Sequence, residues 1–304
     1  MNKISLRVKI CIILFFLIFA GFVYNSLDAM SWPSRDANLI FNFGANNRGK
    51  PVLGMIFGGR FEVTAAENGT VIYTRNKDVR TAFDASRLPS PLGAWTAIDH
   101  RDGLISIYSR YAKSFERLHT EGQSYIEKEQ IIADSGISGW SSRDGFYFMI
   151  LDRRERRWIN PAMILTPMQE TRPPQIISVE LRNDQGNVVG SRSLTQGRYT
   201  VLVNAAGLPL PVLPVTSAQH APHRIVCSVN GAEVGSLNFE AVSARDGTLM
   251  VSRNGLAAAR QVYANPPAFE AAEVFLTRGQ VTLEVIVRDI TGASRSVINR
   301  LIVN

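Results

Sequence analysis

The stretch Leu92–Tyr108 most constrains the fold, because its pattern is typical of a β-hairpin. Apolar and polar residues alternate on both sides of a turn that is closed by Asp102-Gly103. Successive side chains of a strand point to opposite faces, and an Asp-Gly pair adopts the backbone angles that a tight turn requires. The pattern therefore predicts two antiparallel strands joined by a short turn.

Strand patterns separated by glycine-containing turns continue on both sides of this hairpin. Asn68-Gly69 marks a second hairpin turn, and Phe146–Leu151 is a fully apolar strand. The later part of the chain contains a further series of predicted strands: Ile176–Arg182, Val188–Leu194, Tyr199–Ala205, Arg224–Val229, Val234–Phe239, Thr248–Val251, Glu273–Leu276, Val281–Asp289 and Ser294–Val303. Helical periodicity is almost absent, so the sequence predicts an all-β fold.

A proline-containing linker at 166–174 divides this pattern into two predicted domains. The first covers 38–165, and the second, 175–304, has the strand spacing of an immunoglobulin-like β-sandwich. Of the two cysteines, Cys11 lies in the first segment, so Cys227 has no partner for an intramolecular disulfide. Cys227 falls in an apolar strand pattern and is expected to be a buried, unreactive thiol.

The first segment has the pattern of a secretory signal peptide at 1–29, or of an uncleaved membrane anchor. Three basic residues precede an apolar run over residues 10–23, and Ala29 follows it. This predicts a periplasmic or secreted protein of a bacterial cell envelope, with membrane contact only through this segment. Removing three basic residues and one acid lowers the net charge from +7 to +5. The positive charge favours anionic polymers as partners. A location outside the cytoplasm argues against nucleic acid as the partner.

Three blocks in order resemble the lysostaphin-type zinc endopeptidases, which hydrolyse murein. The blocks are Val63–Val71, Leu92–Tyr108 and Phe146–Leu165, and the spacers Gly122-Gln123 and Asp134–Gly139 fit between them. The resemblance covers roughly residues 40–165. It implies the family's duplicated hybrid β motif for the first domain and a function in the cell wall.

The residues that carry the family's chemistry do not accompany these blocks. Gly145 and Tyr147 stand where the family has a His-x-His pair that contributes a zinc ligand, and Arg110 stands where it has a catalytic His two residues after a tyrosine. Between Phe41 and Phe61, where the family's other His and Asp ligands are expected, neither residue type occurs. A zinc hydrolase needs three ligands and an open position for water. The resemblance therefore implies a degenerate member with no catalytic residues, no metal ligands and no cofactor.

The other chemically interesting residues favour structural interpretations. His100, between Asp99 and Asp102, is expected in an exposed turn cluster, and His119 is expected in a polar loop. His220 and His223 lie in a proline-rich loop without an identifiable third ligand. Glu127, Glu129 and Asp134 are expected on a solvated face, with a glycosidase pair as the alternative. The turn Arg153–Arg157 is expected to be a solvated hairpin tip, with anion binding as the alternative.

The sequence thus predicts a groove that binds without catalysing. Its candidate contact residues are Tyr108, Arg110, Trp140 and Tyr147. The expected partner is peptidoglycan or a cell-wall hydrolase that the protein regulates. Two alternatives remain: an active zinc endopeptidase with displaced ligands, which would need zinc, and a structural envelope protein that acts through its second domain.

Overall fold

A computed structural model describes residues 29–34, 37–75, 90–114, 125–167, 173–190, 194–207 and 220–304. Their regular secondary structure is almost entirely β-strand in antiparallel sheets, which confirms the predicted all-β class. Within the described ranges, no helix is long and apolar enough to cross a membrane. The predicted signal segment and His119 lie outside the described residues, apart from Ala29.

The first part of the chain folds around two long central strands, β8 and β11. The described strands of this part are β1 (Asn38–Phe41), β2 (Asn46–Asn47), β3 (Lys50–Pro51), β4 (Met55–Gly58), β5 (Glu62–Thr64), β6 (Gly69–Arg75), β7 (Ala94–Asp99), β8 (Leu104–Ser114), β9 (Tyr125–Ile126), β10 (Ile131–Ser135), β11 (Gly145–Asp152) and β12 (Arg157–Ile159). The predicted hairpin is confirmed as β7 and β8, with a single 3-10 turn, Arg101–Gly103, between them.

Apolar side chains bury both faces of the central strands. On one face, Ile107 packs with Tyr147 and Met149. On the other, Tyr108 packs against Phe148, with ring centroids 5.1 Å apart. Because β11 is covered on both sides, its sequence is a continuous apolar run and not an alternating one.

The second part of the chain is a β-sandwich. Its strands are β13 (Gln175–Asn183), β14 (Val188–Val189), β15 (Gly197–Ala206), β16 (Arg224–Val229), β17 (Ala232–Arg245), β18 (Thr248–Arg253), β19 (Leu256–Ala258), β20 (Phe269–Leu276), β21 (Gly279–Arg288) and β22 (Ser294–Val303), with a short helix at Ala259–Val262. One sheet has the order β14-β13-β15-β20, and it packs through a shared apolar core against β16, β17, β21 and β22. The immunoglobulin-like topology stays a prediction.

Cys227 lies in that core with no accessible surface. Burial raises the pKa of its thiol to about 12, so the thiolate is scarce at neutral pH. The predicted burial of the thiol is confirmed, and its lack of reactivity stays a prediction.

The two parts share one sheet, whose main path runs β22-β21-β16-β17-β12-β11-β8-β7-β6-β9. The connection is an antiparallel pairing of β12 with β17, in which Trp158 lies opposite Val242. Asn160 extends it, since its backbone N–H donates to the carbonyl of Glu240 at 2.8 Å and its side-chain amide donates to the carbonyl of Phe239 at 3.0 Å. We call this pairing the seam, and residues 31–304 form one compact unit across it.

A loop of the first part, residues 42–54, is also fixed by the sandwich. The Asn42 side chain bonds the backbone of Ala221 twice, at 2.7 and 2.8 Å. The buried Tyr263 hydroxyl donates to the carbonyl of Gly44 at 2.7 Å. This loop therefore takes its position from the second part of the chain, although it belongs to the first.

Candidate functional site

An open cleft of about 340 Å³ lies at the end of β4 and β11. Its walls combine six apolar or aromatic side chains with six polar or charged ones. The lining residues are Ile40, Phe41, Asn47, Ile56, Phe57, Arg110, Trp140, Ser141, Ser142, Arg143, Asp144 and Phe146.

A bulge in β8 positions Arg110 in this cleft. The register of β7 and β8 shifts between Ala94 and Trp95, which leaves Arg110 as an extra residue between Ser109 and Tyr111. Its φ is 66°, in the left-handed region that non-glycine residues rarely adopt. Its N–H donates to the carbonyl of Leu92 at 2.8 Å, outside the strand pairing.

The bulge places the guanidinium of Arg110 over the ring of Tyr147. The guanidinium carbon lies 4.9 Å from the ring centroid, a cation–π contact. The Tyr147 hydroxyl accepts a hydrogen bond from the Leu53 N–H at 2.9 Å, which fixes the ring. Burial lowers the pKa of Arg110 and raises that of Tyr147 to about 12. The cation therefore rests on a neutral phenol.

Arg110 lacks a counter-ion among the described residues. No salt bridge within the described ranges includes it, and its buried Nε has no hydrogen-bond partner there. A partly buried charge without a partner is costly, so such a group is a candidate for binding an anion.

Tyr108 does not reach the cleft, which corrects the prediction that it lines the groove. It has no accessible surface, and its hydroxyl accepts a hydrogen bond from the Ala66 N–H at 2.7 Å. Tyr108 packs on Phe148, whereas Arg110 lies on Tyr147, and neighbours in a strand point to opposite faces. Burial raises the pKa of Tyr108 to about 12, as expected for a core residue.

Trp140 stands at the rim of the cleft and is 77% exposed. Its loop is attached to the start of β7, because the Ser138 hydroxyl accepts a hydrogen bond from the Ala94 N–H at 3.0 Å. The backbone N–H of Trp140 donates to the carbonyl of Pro91 at 3.2 Å. Of the predicted groove residues, Arg110 and Trp140 line the cleft, whereas the buried Tyr147 does not line it and lies beneath Arg110.

The rim also carries charged residues that no sequence motif indicated. Asp144 accepts a hydrogen bond from Arg60 at 2.9 Å, and Arg143 is exposed. Asn47 joins them from the loop 42–54. These residues have no periodic signal, since they lie in turns that only the folded sheet brings together.

At the three positions that the sequence resemblance assigns to zinc-peptidase chemistry, the side chains are not among the usual donors to zinc. Gly145 has no side chain, the Tyr147 phenol is held neutral by burial, and Arg110 is a cation. Zinc in proteins takes thiolate, imidazole or carboxylate ligands. Among the residues that the structure describes, no group of three or more His, Cys, Asp or Glu residues is arranged to hold a metal.

The histidines outside the cleft have structural environments. The prediction of an exposed cluster at His100 is wrong: the ring is 7% exposed and bonds the Asn68 carbonyl at 2.8 Å and the Ser106 hydroxyl at 2.7 Å. His220 is 2% exposed, and neither ring nitrogen has a described partner. His223 lies 3.7 Å from a carboxylate oxygen of Glu240.

Most arginines of the turn after β11 form ion pairs with carboxylates. Arg153 lies 3.4 Å from Asp99, Arg154 lies 3.9 Å from Asp102, and Arg157 lies 3.5 Å from Asp152. These pairs neutralise most of the turn, which favours the solvated hairpin tip over the anion-binding alternative.

Comparisons with known proteins give partial likenesses. A family model that carries no functional description matches residues 173–304. Curated proteins give no match. Among solved structures, the SpoIIQ–SpoIIIAH pore-forming complex is 20% identical, with a TM-score of 0.35 over 46% of this chain and 92% of that chain.

Two peptidase structures are similar as well. The catalytic domain of the prophage-encoded M23 protein EnpA from Enterococcus faecalis is 16% identical, with a TM-score of 0.34 over 43% of this chain and 94% of its own. The antimicrobial peptidase lysostaphin from Staphylococcus simulans is 14% identical, with a TM-score of 0.36 over 91% of each chain. At TM-scores below 0.5, none of these likenesses decides what the cleft does.

Proposed function

We propose that this protein is a recognition module of the bacterial cell envelope, whose peptidase-like cleft binds peptidoglycan peptides without hydrolysing them. The contact of Arg110 with Tyr147 carries the proposal, because these are the positions that the sequence resemblance assigns to a catalytic His and to a pair containing a zinc ligand. A guanidinium cannot accept a proton near neutral pH, and it cannot ligate a metal. The contact of Arg110 with Tyr147 instead holds a positive charge in a fixed position in the cleft.

The remaining walls of the cleft suit a polymer of sugars and short peptides. Trp140 offers an exposed ring that can pack against the apolar face of a ligand. Ser141, Ser142 and Asn47 offer neutral hydrogen-bonding groups. The basic net charge of the chain favours an anionic polymer. A cell-wall hydrolase as the bound partner is the competing outcome.

Binding is tested by co-sedimentation of the mature protein with purified peptidoglycan. We expect retention that falls for Arg110→Gly and is unchanged for Arg156→Gly. Arg156 is the matched control, because it is also an arginine with positive φ, at 53°, but it lies in the turn at the far end of β11. Equal retention of the two variants would place binding outside the cleft.

Catalysis is tested on the same preparation. Zinc content is measured by mass spectrometry, and peptidoglycan digestion is followed by release of soluble fragments. We expect substoichiometric zinc and no release. One zinc per chain together with fragment release would establish the zinc endopeptidase and overturn the proposal. If the protein does not sediment with peptidoglycan but binds a purified cell-wall hydrolase, its function is hydrolase regulation and not peptidoglycan recognition.

Localisation follows from the same proposal. We expect the protein outside the cytoplasmic membrane, in the periplasm or the medium, and cell fractionation checks this. Recovery of the full-length chain in the cytoplasm would contradict an envelope role, whatever the cleft binds.

A further inference from the structure

The charge of Arg110 has no counter-ion among the described residues, and this open position carries a more specific inference. Other partly buried arginines of the described chain have acidic partners: Arg182 lies 2.6 Å and Arg253 lies 3.7 Å from the carboxylate of Glu270, and Arg224 lies 3.3 Å from that of Glu233. Arg110 instead lies on the face of Tyr147. The cation–π contact holds the guanidinium flat, and among the described residues its buried Nε has no hydrogen-bond partner. An acceptor from outside the chain would complete the site.

The charge balance of the cleft selects the kind of acceptor. Arg110 is the single cation held by packing, since Arg143 is exposed at the rim. Asp144 lines the same cleft and already bonds Arg60. One fixed cation beside a carboxylate suits a monoanion better than a dianion such as phosphate. A guanidinium also matches the planar, two-oxygen geometry of a carboxylate.

The apolar part of the cleft indicates what the carboxylate is attached to. Ile40, Phe41 and Ile56 form walls next to Arg110, and Trp140 stands at the mouth. A carboxylic acid as small as acetate would leave these apolar side chains exposed to solvent. A short peptide would cover them and would bond the nearby hydroxyl and amide groups.

We propose that Arg110 binds the free carboxylate of a short peptide that extends past Trp140 out of the cleft. This inference rests on the proposed function and deepens it, because it assigns the recognised group within the cell-wall peptide. The same chemistry is present at the carboxyl end of any peptide, so the source has to be distinguished by experiment.

Isothermal titration of the mature protein provides the test. The probes are a soluble muropeptide with a free terminal carboxylate, the same muropeptide with that carboxylate amidated, an N-acetylated tripeptide of unrelated sequence, and inorganic phosphate. We expect amidation or Arg110→Gly to weaken muropeptide binding on the order of ten- to a hundredfold, as for loss of a charge-assisted hydrogen bond. Arg156→Gly is expected to bind as the unchanged protein does.

The outcomes separate this inference from the proposed function. Equal affinity for the free and the amidated muropeptide overturns the carboxylate role, although peptidoglycan recognition stands. Equal affinity for the muropeptide and the unrelated tripeptide supports the carboxylate site and overturns selectivity for the cell wall. Tighter binding of phosphate than of the free muropeptide overturns the inference. A fold check by circular dichroism accompanies Arg110→Gly, and glycine fits the backbone at this position.

Discussion

Arg110 combines features that each destabilise a folded protein. Its φ is 66°, its Nε is buried without a described partner, and its charge is partly removed from water. A backbone in a rarely populated region costs about 1–3 kcal/mol, and such residues cluster at functional sites. The strain in β8 therefore indicates a residue kept for what it binds and not for its contribution to folding.

Replacing Arg110 with glycine should separate these two roles. Glycine adopts positive φ freely, so Arg110→Gly should relieve the strain and offset the lost contact with Tyr147. We expect a melting temperature equal to or above that of the unchanged protein, measured by scanning calorimetry. A fall of more than about 2 kcal/mol in unfolding free energy would show that Arg110 is primarily structural.

His220 should make the stability depend on pH. Burial lowers the pKa of its imidazole to about 4, whereas the unfolded value is about 6.5. The unfolded state therefore gains a proton first as the pH falls, and stability is lost below pH 6.5. Denaturant unfolding should show a loss of about 2 kcal/mol from this residue between pH 7 and pH 5.

The matched variant for that measurement is His220→Gln, which cannot titrate in this range. Burial also lowers the pKa values of His100 and His223, so part of the dependence should persist in the variant. An identical pH dependence with and without His220 would mean that its imidazole binds a proton as readily in the folded as in the unfolded state, and that burial does not lower its pKa.

For single residues, the sequence predicted the burial of some side chains correctly and that of others wrongly. The apolar pattern around Cys227 correctly gave a buried thiol. Simple alternation places Tyr108 and Arg110 on the same face, but the bulge adds one residue and separates them. A bulge depends on the neighbouring strand, which the local pattern does not contain. His100 was missed because its partners, Asn68 and Ser106, lie in other turns and strands.

At the scale of elements, the loop 42–54 links the sandwich to the cleft. Tyr263 fixes Gly44, the Gly44 N–H donates to the carbonyl of Val52 at 2.8 Å, and the next residue, Leu53, holds the hydroxyl of Tyr147. Tyr147 in turn supports Arg110. The orientation of the binding cation thus depends on a tyrosine in the second part of the chain.

Gly44→Ala should disturb this loop. Gly44 has φ of 77°, and a Cβ there would approach Cδ1 of Phe239 to 2.5 Å. We expect a loss of about 3 kcal/mol from the left-handed backbone and the clash together, measured by urea unfolding. Muropeptide affinity should fall as well, since Leu53 would move away from Tyr147.

Gly186→Ala is the control for the backbone contribution. Gly186 has φ of 83°, but a Cβ there meets nothing within 4 Å. We expect it to cost only about 1–2 kcal/mol. If both alanines cost the same, Phe239 moves aside freely and the loop is not held as tightly as its contacts indicate.

At the scale of the whole molecule, the seam makes the two parts interdependent. β12 pairs with β17, and Phe43 of the first part belongs to the core of the sandwich, while Trp158 packs against it. The sequence predicted the strands on each side, because their alternation and turns are local. It did not predict the seam, because a pairing between residues about 80 positions apart has no local signature.

A fragment of residues 31–167 should therefore lack the stability of the intact chain. It would expose the edge of β12 and lose the contacts that hold Asn42 and Gly44. We expect a broad thermal transition by circular dichroism and no muropeptide binding. A cooperative transition at the melting temperature of the intact chain would show that the first part folds alone, as its predicted boundary at 166–174 suggests.

The seam has one more consequence, for association between copies. β12 and β17 each donate and accept along an edge that the other covers. An uncovered edge is a template for any strand that reaches it, including the same strand of another molecule. If a variant opens the seam, β12 of one copy can pair with β17 of the next, and size-exclusion chromatography would show exchanged dimers. The pairing that joins the two parts thus also keeps each molecule separate from its copies.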